Sequence, residues 1–451
     1  MTGAWHSIWP VSALVAASIA GPSLARAEDD PAPIRHGYVV ATSDREKVYA
    51  DIRRRLGAAH KIPAFARKYG MKCSACHFAA PVLNTFGQAF KDNGYRMKVG
   101  TDDLRLKEPG YWPAFAWLWK NYQLDVERVA GETVQRRGEI ANGALVFGGL
   151  GSINDKISFR FVPIIYEDGL TFLDHGWIRY NQAFGTDWVN IRVGSNQPDL
   201  PAYTGPEYNM GNSRFAGLFS YAVPGSVSRY NLVSPQPGVE VMGHDRGSRS
   251  RYTVNVFNTG GAPRAHCTFC APGVFGRVTH RRDLSDGFLR SVQVGAFGAY
   301  ATWPVGPDTS DLKNQRRLGA DVEVTLGSDV LPLRVTAMAM TGRDDRELLP
   351  LATNDPKFDA GMLQLEYVPA LSWVFYSRLQ IIRNRQGVAG LAEDFGDQDF
   401  QFLGAHYYPE LTSRFGWWLE LTYWRHHIKH ATPTGQNTTH HWLWAGAHVV
   451  F

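Results

Sequence analysis

From about residue 111 onward the chain alternates. Between residues 371 and 385 the odd positions Leu371, Trp373, Phe375, Leu379 and Ile381 are apolar, with Ser372, Arg378 and Gln380 between them. The same rhythm sets Phe415, Trp417, Leu419, Leu421 and Tyr423 against Arg414, Glu420 and Thr422, and Tyr252, Val254 and Val256 against Arg251, Thr253 and Asn255. A period of two puts every apolar side chain on one face of an extended strand. Such segments predict sixteen strands, at 113–127, 137–148, 156–166, 171–184, 187–196, 236–243, 249–258, 274–282, 287–299, 315–326, 330–341, 357–368, 371–385, 397–408, 411–426 and 440–451. Short turns, such as Phe184-Gly185-Thr186, Gly327-Ser328-Asp329 and Tyr408-Pro409-Glu410, trade places with long connections at 197–235, 259–273, 342–356 and 427–439. An even number of strands with alternating short and long connections is the layout of a transmembrane antiparallel β-barrel. A secreted β-sandwich or propeller is the competing arrangement, but it seldom needs so many apolar-faced strands in one series.

The upstream part has a different rhythm. Residues 11–20, VSALVAASIA, form a short apolar core followed by Ala25-Arg26-Ala27 and the acidic Glu28-Asp29-Asp30, the layout of a cleavable secretory signal over 1–27. The segment before that core lacks Lys and Arg, a departure from the usual signal. Residues 28–110 read as a small, mostly α-helical domain, with a charged helix-favouring stretch from Asp44 to Leu56. A second helix is predicted over Pro81–Asn93. Pro81 suits its first turn, Leu83, Phe86 and Phe90 fall at i, i+3 and i+7, and Asn93-Gly94 is a stop signal. Pro109-Gly110 marks the join to the barrel, 111–451. Its last apolar set, Leu443, Ala445, Ala447, Val449 and Phe451, ends on an aromatic residue, as barrels inserted into the bacterial outer membrane do.

Composition sharpens this picture. The 451 residues are 44% hydrophobic and 20% charged, with Trp 14, Tyr 19, Phe 24 and Gly 45, a mixture suited to aromatic-bearing strands joined by glycine-containing turns. No stretch after residue 27 approaches the roughly 18 apolar residues of a spanning helix, so a helical membrane protein is excluded. The mean hydropathy of -0.26 fits a barrel whose lumen face is polar. A net charge of +5 is too balanced to imply a nucleic-acid partner.

The chemistry concentrates in Lys72-Cys73-Ser74-Ala75-Cys76-His77. C-x-x-C-H is the spacing of c-type haem attachment: Cys73 and Cys76 form thioethers, and His77 falls beneath the iron as proximal ligand. A zinc site or a redox dithiol are the alternatives. Zinc would want four ligands, and the remaining cysteines, Cys267 and Cys270, lie in a distant predicted loop. Met97 is the candidate distal ligand, with His60 and Met71 as competitors, and a His/Met pair raises the reduction potential. Cys267-Thr268-Phe269-Cys270 is followed by Ala271 and so is not a second haem site; a disulfide is the default in an oxidising compartment, with a redox or metal role as alternatives. His426, His427, His430, His440 and His441 bracket the last long loop, and pairing across a hairpin would bring imidazoles together, as metal ligands or as uncoordinated loop residues.

The run Ile62-Pro63-Ala64-Phe65-Ala66-Arg67, Gly70, the C-x-x-C-H and Leu83-Asn84-x-Phe86-Gly87-x-x-Phe90-x-x-x-Gly94-Tyr95 resembles the fused monohaem cytochrome-porins of the outer membrane, whose best-known members are iron oxidases of iron-oxidising bacteria. The local match covers about residues 62 to 97. The resemblance implies one covalent haem c held in the barrel lumen or at its periplasmic mouth. It further implies electron transfer from extracellular Fe(II) to a periplasmic cytochrome or copper protein, an Fe(II):cytochrome c type of oxidoreductase. Of the family's functional residues, Cys73, Cys76 and His77 carry over. Two other functions fit the same sequence: a diffusion porin with a haem-bearing plug, and a cytochrome-porin acting on a donor other than iron.

Overall fold

A computed structural model of the chain describes residues 65, 75–79, 82–96, 114–201, 217–223, 225–228, 230–233, 236–259, 272–284, 287–305, 311–328, 332–349, 352, 354–370, 372–385, 396–408, 416–429 and 436–450. Sixteen strands follow one another around a closed antiparallel barrel. They are β3 (Ala114–Val129), β4 (Glu132–Ser152), β5 (Ile157–Tyr166), β6 (Thr171–Tyr180), β7 (Asn190–Asn196), β8 (Gln236–His244), β9 (Ser250–Asn258) and β10 (Pro272–Asp283), then β11 (Leu289–Pro304), β12 (Leu312–Gly327), β13 (Pro332–Asp344), β14 (Lys357–Ala370), β15 (Trp373–Asn384), β16 (Gln398–Tyr407), β17 (Gly416–Ile428) and β18 (Thr438–Val450). Closure is made by β18 on β3, from Thr438 opposite Val129 to Val450 opposite Trp117. Every predicted strand is present, with its ends shifted by a few residues. No described helix is long and apolar enough to cross a membrane.

Alternation decides which face is which. In β17, Leu419 and Leu421 are exposed on the outside while Trp418, Thr422 and Trp424 are buried on the inside. In β15, Trp373, Phe375, Leu379 and Ile381 point outward and Val374, Tyr376, Arg378, Gln380 and Ile382 inward. An apolar outer wall without covering protein is what contact with lipid tails requires. At the end where β3 starts and β18 finishes, Trp373 stacks with Phe375 and lies 4.7 Å from Tyr407, and Trp188 stacks with Tyr252. Amphipathic rings at that height form the girdle expected at a membrane–water boundary. Leu421 sits near the middle of β17. Leu421→Arg is expected to destabilise the barrel by about 2–4 kcal/mol, the cost of a charge at mid-membrane, read as a lower urea midpoint of the protein folded in lipid vesicles.

Three features differ from the sequence expectation. The connections at the end opposite the termini are not all long, because β3–β4 and β5–β6 turn tightly through 130–131 and 167–170. Strand β4 starts at Glu132, five residues before the alternation does, and β5 pairs with it only from Ala144 onward; above that point it rests on β3 alone. The lumen, expected to be polar throughout, carries an apolar lining. Phe275, Phe297, Met338, Met340, Phe358, Met362, Ile382, Phe400, Phe402 and Trp424 are buried on the inner face together with Leu218, Phe219, Tyr221, Val223, Tyr230 and Leu232 of the 197–235 connection. The described part of that connection, within 217–233, therefore folds into the barrel instead of standing above it. It is pinned where the Leu218 amide donates to Gln380 Oε1 at 3.3 Å, Tyr221 Oη to Asn384 Oδ1 at 3.0 Å and Ser228 Oγ to Gln315 Oε1 at 2.7 Å.

Candidate haem-attachment site at the barrel mouth

Around the C-x-x-C-H, the short strands β1 (His77–Ala79) and β2 (Val82–Leu83) pair antiparallel, and helix α1 (Thr85–Asp92) follows. The helix begins later than the sequence suggested. Its first residue is Thr85; Val82 and Leu83 are drawn into the pair with His77–Ala79, and Asn84 becomes the cap, accepting from the Gly87 amide at 2.8 Å through its side-chain oxygen. The predicted stop at Asn93-Gly94 is observed, with Gly94 at φ +70°.

The described end of the C-x-x-C-H, Ala75–His77, is seated on the start of this helix. The Asn84 amide donates to the Cys76 carbonyl at 2.9 Å, and Asn84 Nδ2 donates to the Ala75 carbonyl at 3.0 Å. A Cβ at Gly87 would lie 2.1 Å from the Cys76 oxygen, so only glycine lets the turn come this close. The aromatic positions of the motif gather at the other end. Phe65 lies 4.9 Å from Phe90 and 5.1 Å from Tyr95, and Phe86 and Phe90 stack along the helix.

This unit lies across the lumen at the end bearing the barrel termini. On one side Val82 packs in a cluster with Val368, Val374, Tyr376, Tyr408 and Trp418 of the β14–β17 wall. On the other, Phe90 and Tyr95 pack with Trp177 of β6 and Leu150 of β4. Arg179 donates to the Lys91 and Asp92 carbonyls at the helix C-terminus, where a cation complements the helix dipole. Arg96 donates to the Asp155 carbonyl in the β4–β5 turn. Arg251 of β9 lies 3.7 Å from Asp92 and 3.8 Å from Asp199, tying helix and inward connection to one guanidinium. Burial opposes ionisation of Asp92, but Arg251, Lys91, His244 and the Gln88 amide hold its carboxyl below the ordinary value of 3.8.

Beside Val82 the wall carries a buried polar group. Glu420 accepts from Thr422 Oγ1 at 2.8 Å and from His448 Nε2 at 3.1 Å, and lies 3.7 Å from His406 Nε2. Trp117 Nε1 donates to His448 Nδ1 at 3.3 Å, which leaves the His448 proton on Nε2, toward Glu420. At the far end His426 and His440 are cross-strand partners on the inner face, with ring centroids 6.1 Å apart. His426 Nε2 donates to Gln398 Oε1 at 2.9 Å and its ring stacks on Phe400. The hairpin thus brings together one pair of the expected histidines. His427 and His441 instead face Thr439 and Arg425 across the strands. Among the described residues no group of three His, Cys, Asp or Glu could hold a metal ion.

Cys76 and His77 are half-buried on the seated turn. Cys73, the distal candidates Met97, His60 and Met71, the Cys267/Cys270 pair, His430 and the Asp44–Leu56 stretch lie outside the described residues. The site fits a covalent haem in two respects. An adjacent thiol and imidazole stand on a turn held rigidly by Asn84 and Gly87. Across the unit, the buried donors Trp177 Nε1 and Arg179 Nε have no acceptor among the described residues, as expected where a ligand carries carboxylates. Sequence reasoning missed these wall residues, because they stand about a hundred positions from the motif.

No family model matches the sequence, and no curated protein does. Among solved structures, the fold is similar to that of an anion-selective porin from Comamonas acidovorans, at 12% identity over 75% of this chain and 98% of that one, with a TM-score of 0.51. It is also similar to OprB of Pseudomonas putida, at 10% identity over 75% of this chain and 94% of that one, with a TM-score of 0.50. At such identity the likeness establishes one thing, that the chain has the fold of the porin barrels.

Proposed function

We propose that the chain is an outer-membrane electron conduit of the cytochrome-porin kind, taking electrons from extracellular Fe(II) and delivering them to a periplasmic cytochrome or copper protein. The observation that carries this reading is the position of the C-x-x-C-H turn, on a unit that lies across the lumen of a closed, lipid-facing barrel. In this reading the end bearing both barrel termini is periplasmic, so the attachment turn sits where a periplasmic partner can approach. Cys73 and Cys76 would hold the haem and His77 would ligate its iron, with Met97 the candidate second ligand. A haem there supplies a one-electron couple. The chain's own part is to hold that centre still and keep it partly dry. Asn84 and Gly87 fix the turn, Phe65, Phe86, Phe90 and Tyr95 supply apolar cover, and the inward connection narrows the far half of the lumen.

A diffusion porin is the second reading, favoured by the porin fold. The two inserted segments speak against a wide passage, since a barrel of sixteen strands otherwise leaves an aqueous channel. The deciding experiment mixes oxidised, purified protein with Fe(II) without oxygen and follows the haem bands. Reduction on a turnover timescale is expected. A stable oxidised spectrum together with large single-channel conductance in planar bilayers would favour the porin.

A further inference from the structure

The inner wall facing α1 holds donors that find no acceptor among the described residues. Trp177 is 6% exposed and its Nε1 has no acceptor among the described residues. Arg179, two residues along on the same face, is 3% exposed; its two terminal nitrogens go to the carbonyls ending α1, and its Nε is left over. Arg160 of β5 stands directly opposite Trp177 in the ladder and is buried as well. Arg192 covers the Trp177 ring at 5.1 Å but is committed to Glu240. The neighbourhood is rich in guanidinium groups, and its nearby carboxylates are engaged, Glu240 by Arg192 and Thr253 and Asp92 by Gln88 and Arg251. A buried N–H group without an acceptor calls for an explanation, and an absent ligand is one. The partner these donors suit is a carboxylate.

Placement says which one. Tyr95 stacks on Trp177, with ring centroids 6.2 Å apart, and packs on Phe90. The Cys76 carbonyl is fixed at the opposite, N-terminal end of α1, and the helix between them is about 12 Å long at 1.5 Å per residue. In a c-type haem the thioether-bearing edge and the propionate-bearing edge of the ring lie on opposite sides. A ring attached at Cys76 and lying along the Phe86–Phe90 face would bring its propionates to the Trp177 wall. We propose that Trp177 Nε1 and Arg179 Nε, beside the charge of Arg160, receive a haem propionate, so that the barrel wall is half of the haem site. This inference rests on the haem reading above.

The test uses the full chain, matured with haem and purified in detergent. Trp177→Phe removes the N–H and keeps a ring for Tyr95. The variant is expected to carry haem in wild-type amount, with a lower midpoint potential, because a propionate without its donor favours ferric iron. Without the donor the propionate is also harder to ionise, so the pH dependence of the potential should move to higher pH. A potential and a pH profile identical to wild type would overturn the inference while leaving the haem reading standing; absence of covalent haem from the wild-type chain would overturn both. Should Trp177→Phe fail to fold, the indole N–H marker band in ultraviolet resonance Raman decides. It should report a stronger hydrogen bond in the wild-type holoprotein than in the haemless Cys73→Ala/Cys76→Ala chain, and an unchanged band would sink the proposal.

Discussion

Gly87→Ala is expected to unseat the C-x-x-C-H turn while leaving the barrel folded. The added Cβ would meet the Cys76 carbonyl oxygen at 2.1 Å, with Leu83 Cδ2 at 3.0 Å beside it. The first obstacle is backbone and cannot rotate away. Either the turn lifts off the helix or the first turn of α1 unwinds. Both routes break the hydrogen bonds from the Asn84 amide to Cys76 and from Asn84 Nδ2 to Ala75. Overpacking costs about 1–3 kcal/mol, and each lost hydrogen bond about 0.5–1.5 kcal/mol, so the local loss is about 2–6 kcal/mol. On the proposed haem reading, covalent attachment would need only Cys73, Cys76 and His77. The variant should therefore still stain for haem, but protease should cut within 75–96 many times faster than in the wild type. Heat-modifiable migration of the barrel on gels should be unchanged. Wild-type protease resistance in the variant would mean that the turn is not held by this contact.

Much of the barrel was legible because lipid imposes a rule on every strand. Leu419 and Leu421 must be apolar whatever their neighbours do, and Glu420, Thr422 and Trp424 are free to differ. Where lipid is absent the rule lapses, which is why Glu132-Thr133-Val134-Gln135-Arg136 was missed at the start of β4. The inward connection was legible in part. Leu218, Phe219, Tyr221, Val223, Tyr230 and Leu232 are too apolar for a loop in water, and their burial against the inner wall resolves the conflict. Around the C-x-x-C-H, local spacing announced the Asn93-Gly94 stop, and it singled out Cys76 and His77, whose haem role is the proposal above. The Asn84 cap was readable too, as a capping residue just ahead of Thr85, but Pro81 drew the predicted start upstream. Nothing local could announce Trp177, Arg179 or Arg251, whose roles arise from strand register around a closed sheet.

Arg251→Met should release α1 from the wall and reverse the pH dependence of its docking. In the wild-type chain Arg251 stands between Asp92 and Asp199. For both carboxyls burial is the largest influence and raises the pKa. Arg251 with its neighbours outweighs it and holds each below 3.8. A depressed carboxylate contributes stability that is full above its unfolded value and fades as pH falls through the lowered folded one. Docking should thus be flat from neutral pH down to about 4 and weaken only below that. Methionine keeps much of the side-chain length but strips the charge, leaving two carboxylates in a buried setting. Removing one partner of a buried ion pair costs about 3–5 kcal/mol. With Arg251 gone, burial, the largest influence on Asp92, meets weaker opposition from Lys91, His244, Gln88 and Arg179 and should lift the folded pKa above the ordinary value. A raised carboxylate penalises docking most at high pH and is relieved by protonation as pH falls. Hydrogen exchange in the amides of α1, corrected for intrinsic rates and followed from pH 7 to pH 4, measures this directly. Protection in the variant should be lost at pH 7 and partly regained toward pH 4, whereas the wild type should show no such trend. Equal protection in both proteins at every pH would show that the helix is held by the Phe90–Tyr95–Trp177 packing and Arg179 alone.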